Sequence, residues 1–315
     1  MIFAVCAIAK LENHYVREWA DHYFSIGFDK IILYDNNDST GERLADPIKD
    51  YVESQKIDII DVHDKIDYQV EAYNDCYQKY ADKVDWILFI DLDEFLVFSL
   101  PNIHTIQDFI ALDPFNTADL IAFPWVYYDD NNLITVENNN YNLEQRFTQK
   151  NAWFPENLCF KELIKTKLTG ISINSAHVVL PIAPKSETNA SIYNSQADLR
   201  KLKQFTAEGI DYHIGCCRPE QTKNAYLKHF RYKTLQEFLE LKCNRGYPMP
   251  FRQHGKTIGL YDFFLANKAT KEKLAYAEKW LEDNKDKLDS DWVYTQMMQI
   301  EDIKTQNSHI KLEDS

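Results

Sequence analysis

Glycine is scarce in this chain, with 8 residues in 315 and none before Gly27. That scarcity speaks against a glycine-rich phosphate loop after the first strand, the usual device for cradling phosphates at a helix N-terminus. Basic residues are also in deficit, 35 Lys and Arg against 49 Asp and Glu, for a formal net charge of −14. A surface of that sign disfavours non-specific nucleic-acid binding, which depends on clustered cations. An anionic ligand then needs a bound metal or a small basic cluster to reverse the local sign. No apolar run approaches the ~20 residues of a membrane span. The opening MIFAVCAIAKLEN also lacks the basic segment of a signal peptide. The expectation is a soluble protein with no transmembrane segment. The six cysteines (Cys6, Cys76, Cys159, Cys216, Cys217 and Cys243) show no C-x-x-C pair and no zinc spacing. Cys216 and Cys217 are adjacent, poor geometry for an ordinary disulfide, so the chain reads as reduced and cytoplasmic.

What is present suits a globular enzyme. Apolar residues make up 45% and charged residues 27%. Aromatic content is high, with 19 Tyr, 18 Phe and 6 Trp, which serves a core and sugar stacking equally well.

Over the first 95 residues strand and helix patterns alternate. Residues 2–9, 30–34 (KIILY), 57–62 (IDIIDV) and 86–90 (WILFI) read as buried strands. Asn13 is placed to cap a helix in which Tyr15, Trp19, Tyr23 and Ile26 repeat at helical spacing and which Gly27 ends. Ser39-Thr40-Gly41-Glu42 reads as a capping box opening a short helix to about residue 51. A further helix is expected over 68–80. Such alternation implies βαβ crossovers and a parallel sheet, in which ligands bind beyond the carboxyl ends of the strands. Farther along, the pattern predicts a helix at 106–112 and strands at 120–126, 161–166, 171–180 and 226–230. Residues 129–142, rich in Asp and Asn, read as a loop. Thr234-Leu235-Gln236-Glu237 is a second capping box, opening a helix to about Cys243, and the C-terminal stretch reads as amphipathic helices with a polar tail. One domain with a C-terminal helical extension is the simplest division.

The strongest chemical signal is Phe89-Ile90-Asp91-Leu92-Asp93-Glu94-Phe95. Three carboxylates packed at the end of a buried strand repel one another, which is costly unless a cation or proton intervenes. Two aspartates one residue apart can turn toward one hard cation, Mg²⁺ or Mn²⁺, that keeps positions for water and phosphate oxygens. A metal there neutralises the charge of a departing diphosphate. A solvated acidic turn is the plain alternative, disfavoured by the apolar WILFI before it and Phe95-Leu96 after it. Aspartate-nucleophile phosphohydrolases also end a strand in D-x-D. Theirs comes early in the chain and is usually followed by a hydroxyl residue, where Glu94-Phe95 stands here.

The run Cys6-Ala7-Ile8-Ala9-Lys10-Leu11-Glu12-Asn13, with Val16-Arg17-Glu18-Trp19 and His22, resembles the opening of glycosyltransferase family 92 and its bacterial relatives. So do Gly27-Phe28-Asp29-Lys30, Tyr34-Asp35-Asn36-Asn37-Asp38-Ser39, Gln69 with Ala72-Tyr73-Asn74-Asp75-Cys76, and Asp91-Leu92-Asp93-Glu94-Phe95-Leu96. His229-Phe230-Arg231-Tyr232-Lys233-Thr234, Phe238, Lys242 and Arg245-Gly246 are similar to a late segment of that family. Leu11 stands where Asn is usual, Phe230 for Tyr and Thr234 for Ser. The resemblance is dense over residues 1–100, sparse over 100–220, and returns near 225–247.

The resemblance implies an α/β fold of the GT-A type: a Rossmann-like sheet with helices on both faces, mixed strands in the acceptor half and a C-terminal helical extension. Residues 1–100 would be the nucleotide-sugar-binding half and 101–265 the acceptor-binding half, with 266–315 the C-terminal helices and polar tail. It also implies inverting transfer of a hexose, galactose first, from a UDP-sugar to a glycan or glycolipid, with Mn²⁺ or Mg²⁺ as cofactor. Bacterial surface polysaccharide or lipopolysaccharide synthesis is the expected setting. The expected location is cytoplasmic, up to peripheral contact with the inner face of the membrane. Asp91, Asp93 and His229 are the expected metal ligands, with His177 the rival histidine. Lys10, Glu12, Asp35, Asn36, Gln69 and Asn74 follow strand ends on the nucleotide side, although Asp35 and Asn36 serve an Asx turn equally well and Glu12 a helix cap. Arg231, Lys233, Lys242 and Arg245 form a basic cluster for a diphosphate or an anionic acceptor, or else a solvated helix face. An inverting transferase needs a base, and Glu156, Glu162 and Asp129 are candidates among which the sequence does not choose. Trp125, Tyr127, Tyr128 and Trp153 are candidates for a sugar platform. Two other classes stay open: a metal-dependent phosphohydrolase or nucleotidyltransferase on a doubly wound sheet, and a non-catalytic nucleotide- or glycan-binding protein.

Overall fold

The first strand is buried almost throughout because it is covered on both faces. Ala4 and Cys6 join Ala72, Tyr73 and Cys76 of the helix Gln69–Tyr80 in one apolar cluster. Phe3 points the other way, as strand alternation requires. Its ring meets Phe28 at 6.3 Å, and Phe28 meets Tyr23 of the helix Asn13–Ser25 at 5.4 Å. Helices therefore flank this strand on both faces.

The structure, a computed structural model, describes residues 1–151, 159–168, 171–175, 178–181, 191–195, 199–200, 222–243 and 259–310. The chain forms two units, Met1–Tyr128 with Ala152–Arg231, and Asp129–Asn151 with Tyr232–Ser315. The main strands of the first unit are β1 (Phe3–Ala9), β2 (Lys30–Asp35), β3 (Ile57–Asp61), β4 (Trp86–Phe89), β5 (Glu94–Phe98), β6 (Leu120–Tyr128), β7 (Phe160–Lys165) and β8 (Ala225–His229). Its helices include α1 (Asn13–Ser25), α2 (Lys49–Glu53) and α3 (Gln69–Tyr80). Strands β3, β2, β1 and β4 lie side by side in that order, all parallel. Beyond β4 the sheet turns mixed: β7 runs antiparallel to both β4 and β6. Strand β8 pairs parallel with β6 and antiparallel with β5. This is the expected α/β architecture, with crossovers in the N-terminal half and mixed strands after it.

Three local expectations are corrected. Glu12, not Asn13, stands at the N-cap position of α1; Asn13 is the first helical residue, and its Nδ2 donates to the Arg43 carbonyl at 2.7 Å. Ser39–Glu42 opens no helix. Glu42 Oε1 accepts from Asn13 N at 3.3 Å, and the Arg43 guanidinium collects the carbonyls of Asp38, Gly41 and Glu42, holding a turn there. The helix begins only with a 3-10 turn at Asp46–Ile48 leading into α2. Residues 171–180 are not one strand but the hairpin of Ile171–Ser175 and Val178–Pro181, where the turn formers Asn174 and Ser175 precede the reversal. Gly27 does end α1, at φ +91°, which a side chain would resist.

In the second unit the Thr234 capping box is formed, and Leu235–Glu237 leads into a π-helical turn over Phe238–Cys243. Among the described residues that follow are the α-helices Leu260–Ala266, Lys271–Asn284 and Ser290–Ile310. Tyr232, Phe238 and Phe263 pack ring to ring. Arg146 and Glu237 form a buried bidentate pair at 2.8 Å. Asp130 and Lys273 form a second buried pair. No helix among the described residues is long and apolar enough to cross a membrane.

Candidate functional site

Strand β4 ends at Phe89 and β5 begins at Glu94, so Asp91 and Asp93 sit on the turn between two strands and Glu94 opens the second. The turn closes on itself: Asp91 N donates to Glu94 Oε2 at 3.1 Å, and Glu94 N donates to the Asp91 carbonyl at 3.2 Å. Helix α1 grips it from one side. Trp19 Nε1 donates to the Asp91 carbonyl at 3.1 Å, and Tyr23 Oη donates to the Glu94 carbonyl at 3.0 Å. Helix α3 grips Asp91 from another, with Gln69 Nε2 on Oδ1 at 2.7 Å and Tyr73 Oη on the same atom at 3.3 Å.

Strand β8 supplies the late histidine. Its antiparallel register sets His229 opposite Glu94, and Phe230 N donates to the Asp93 carbonyl at 2.8 Å. His229 Nε2 lies 3.4 Å from Asp93 Oδ1 and 3.9 Å from Glu94 Oε1. The rings of Trp125 and Tyr127 wall it in, at 4.3 and 4.7 Å. One ligand atom from each of Asp93, Glu94 and His229 lies within 4.8 Å of the other two, and all three residues are buried. Glu94 is fully buried, and its Oε1 has no hydrogen-bond partner. Burial holds this carboxyl well above the usual range; Lys161 opposes that, while Asp91 and Asp93 add to it. A buried carboxylate oxygen left without a donor beside a second carboxylate and an imidazole fits a divalent cation.

Asp91 is turned differently. Its Oδ2 lies 2.8 Å from Nζ of Lys161, a fully buried lysine on β7, and that ammonium is also 3.8 Å from Glu94 Oε1. Burial acts to lower the Lys161 pKa, but the attraction of Asp91 and Glu94 outweighs it and holds the ammonium above its ordinary value. The structure thus gathers Asp93 and His229 with Glu94, while Asp91 faces Lys161 and Gln69.

The remaining expected residues are more dispersed. Lys10 pairs with Asp38 at 2.6 Å. Glu12 is buried, its carbonyl accepting from Tyr15 N and Val16 N. Asp35 accepts from Asn37 N and Leu44 N and lies 3.4 Å from His63 Nε2. Asn36 donates to the carbonyls of Val62 and Lys65. Asn74 pairs through its amide with both the N–H and the carbonyl of Ile173. Arg231 donates to Tyr127 Oη at 2.9 Å. Lys233 and Lys242 belong to the second unit. Arg245, His177, Glu156 and Trp153 lie outside the described residues. Glu162 is buried on β7, and Asp129, in the second unit, accepts from Asn131 N. Trp125, Tyr127 and Tyr128 are all buried; the first two pack on His229 and Tyr128 packs on Phe230.

Two residues of the site escaped the sequence reading. Glu94 was visible in the motif but had no role, and its coming alignment with His229 is a matter of strand register. Lys161 carried no signal, because a lysine inside an apolar strand pattern is indistinguishable from one on a solvated edge.

The family model for glycosyltransferase family 92 matches residues 2–258. A glycosyltransferase family 92 protein of Oryza sativa subsp. japonica is 27% identical over 105 residues, 33% of this chain. The match spans only 17% of the rice protein. Among solved structures, S. aureus TarS 1-349 in complex with UDP-GlcNAc is 14% identical, with a TM-score of 0.32 over 40% of this chain and 35% of that one. The mannosyltransferase PcManGT from Pyrobaculum calidifontis, in complex with GDP-Man and Mn2+, is 10% identical, with a TM-score of 0.29 over 38% and 34%.

Proposed function

The chain belongs to glycosyltransferase family 92, and from that premise we propose that it is an inverting, metal-dependent hexosyltransferase. Its donor in this reading is a UDP-sugar, UDP-galactose first, and its acceptor a hydroxyl of a glycan or glycolipid. Bacterial surface polysaccharide or lipopolysaccharide synthesis is the proposed setting.

Asp93, Glu94 and His229 would hold the cation, Mn²⁺ before Mg²⁺. When bound, the ion would supply positive charge to the departing diphosphate. Trp19 and Tyr23 keep the turn rigid through the carbonyls of Asp91 and Glu94, so its side chains need little reorganisation on binding. Gln69 and Lys161 orient Asp91, whose partly exposed carboxylate keeps acceptor capacity for a hydroxyl of the donor. The apolar walls of Trp125 and Tyr127 exclude water from the His229 side.

The observation that carries this reading is the buried Glu94 Oε1, which accepts no hydrogen bond and lies close to Asp93 and His229. The test is release of UDP from a panel of UDP-sugars with and without Mn²⁺. Turnover of one sugar, abolished by EDTA and by Asp93→Ala, supports the proposal. No turnover of any UDP-sugar with Mn²⁺ present counts against it.

A further inference from the structure

Lys161 is a costly residue to keep where it is. Its side chain is fully buried, and a buried ammonium persists only where carboxylates compensate it. Nζ lies 2.8 Å from Asp91 Oδ2 and 3.8 Å from Glu94 Oε1, with the Trp125 ring centre 5.7 Å away. The ammonium thus bridges one oxygen of each of two carboxylates. In sites that hold two metal ions about 3.5–4 Å apart, a second ion takes such a bridging place. Three carboxylates and a histidine are enough ligands for two ions. One ammonium and one divalent ion balance Asp91, Asp93 and Glu94, whereas without the ammonium a single divalent ion leaves one negative charge, which attracts a further cation to the vacated place.

We propose that Lys161 is a positioning residue that makes the acidic turn a single-ion site. Its ammonium replaces a second cation between Asp91 and Glu94. It keeps Asp91 turned toward Gln69, and it leaves Asp93, Glu94 and His229 to one divalent ion. This inference rests on the metal reading of the same turn. Register brings Lys161 there: it pairs with Phe123 on β6, and β7 also lies beside β4, the strand that leads into the turn.

The experiment is Mn²⁺ stoichiometry on the full chain, by calorimetry and by electron paramagnetic resonance of free Mn²⁺, with thermal unfolding in EDTA and in Mn²⁺. Parent protein, Lys161→Met, and the double variant Lys161→Met with Asp91→Asn are compared. The expected result is one ion in the parent, two in Lys161→Met and one in the double variant. Lys161→Met should also lose stability in EDTA and regain most of it in Mn²⁺. A lysine that merely fills space would lower Tm equally in both buffers. If Lys161→Met is unfolded in EDTA, folding on addition of Mn²⁺ with two ions bound supports the proposal, and failure to fold in Mn²⁺ overturns it. One ion in both parent and Lys161→Met overturns the role of Lys161 and leaves the metal reading standing. No Mn²⁺ bound by the parent overturns both.

Discussion

The hydroxyl of Tyr23 donates to the Glu94 carbonyl at 3.0 Å and accepts from Leu96 N at 3.2 Å, so one side chain of the first helix fixes the backbone that carries the acidic turn. Tyr23→Phe leaves both buried groups unpaired at a cost of about 1–3 kcal/mol. The urea midpoint should fall accordingly. Mn²⁺ affinity should fall with it, because the same backbone sets Asp93 and Glu94. Unchanged values of both would mean that the turn is held by other contacts.

Leu11 sits at φ +58°, with its N–H donating to Asn37 Oδ1 at 2.8 Å. The left-handed region costs a side-chain-bearing residue about 1–2 kcal/mol, and Asn tolerates it best. Leu11→Asn is therefore expected to stabilise the fold by roughly 0.5–1 kcal/mol, read as a higher urea midpoint with the slope unchanged. A lower midpoint would show that packing of the leucine outweighs the backbone strain.

Arg146 and Glu237 are both buried, and Glu237 also accepts from Thr234 N and Oγ1 as the helix cap. Arg146→Met alone strands a buried carboxylate and should cost about 3–5 kcal/mol. Adding Glu237→Leu should recover part of that loss, short of the cap's ~1 kcal/mol. Denaturation of the single and double variants reads this directly. Strictly additive losses would contradict a coupled pair.

The titration of buried tyrosines sets the alkaline limit. Burial raises Tyr34, Tyr73 and Tyr80, with Asp75 holding the Tyr34 hydroxyl and Asp58 that of Tyr80. A raised folded-state pKa means that the unfolded chain loses its protons first, from about pH 10. The unfolded state then binds fewer protons, so stability is full below that pH and falls as pH rises above it. Unfolding free energies at pH 9 and 11 should differ, and Tyr34→Phe should shrink the difference. Equal free energies at both pH values would contradict it.

The parallel half of the sheet was legible because β1, β2 and β4 are apolar runs, β3 repeats isoleucine, and helical patterns lie between them. The Gly27 stop and the Thr234 box were legible because their chemistry is local. The helix after β2 was misplaced because Glu42 and Arg43 bind partners outside their own box, which a four-residue pattern cannot register. In the site, Asp91 and Asp93 stood out as a motif, and His229 through its resemblance to a late segment. The grouping of Asp93 with His229, and of Asp91 with Lys161, was hidden. It depends on the pairing of β5 with β8 and of β7 with β4, contacts between residues far apart in sequence.

The most direct test of the metal-diphosphate site is calorimetric titration of UDP into the protein, in Mn²⁺ and in EDTA, repeated on Asp93→Ala. Binding that requires Mn²⁺ and disappears in Asp93→Ala is the predicted result. UDP binding that is equal in EDTA and in the variant, or absent throughout, would contradict it.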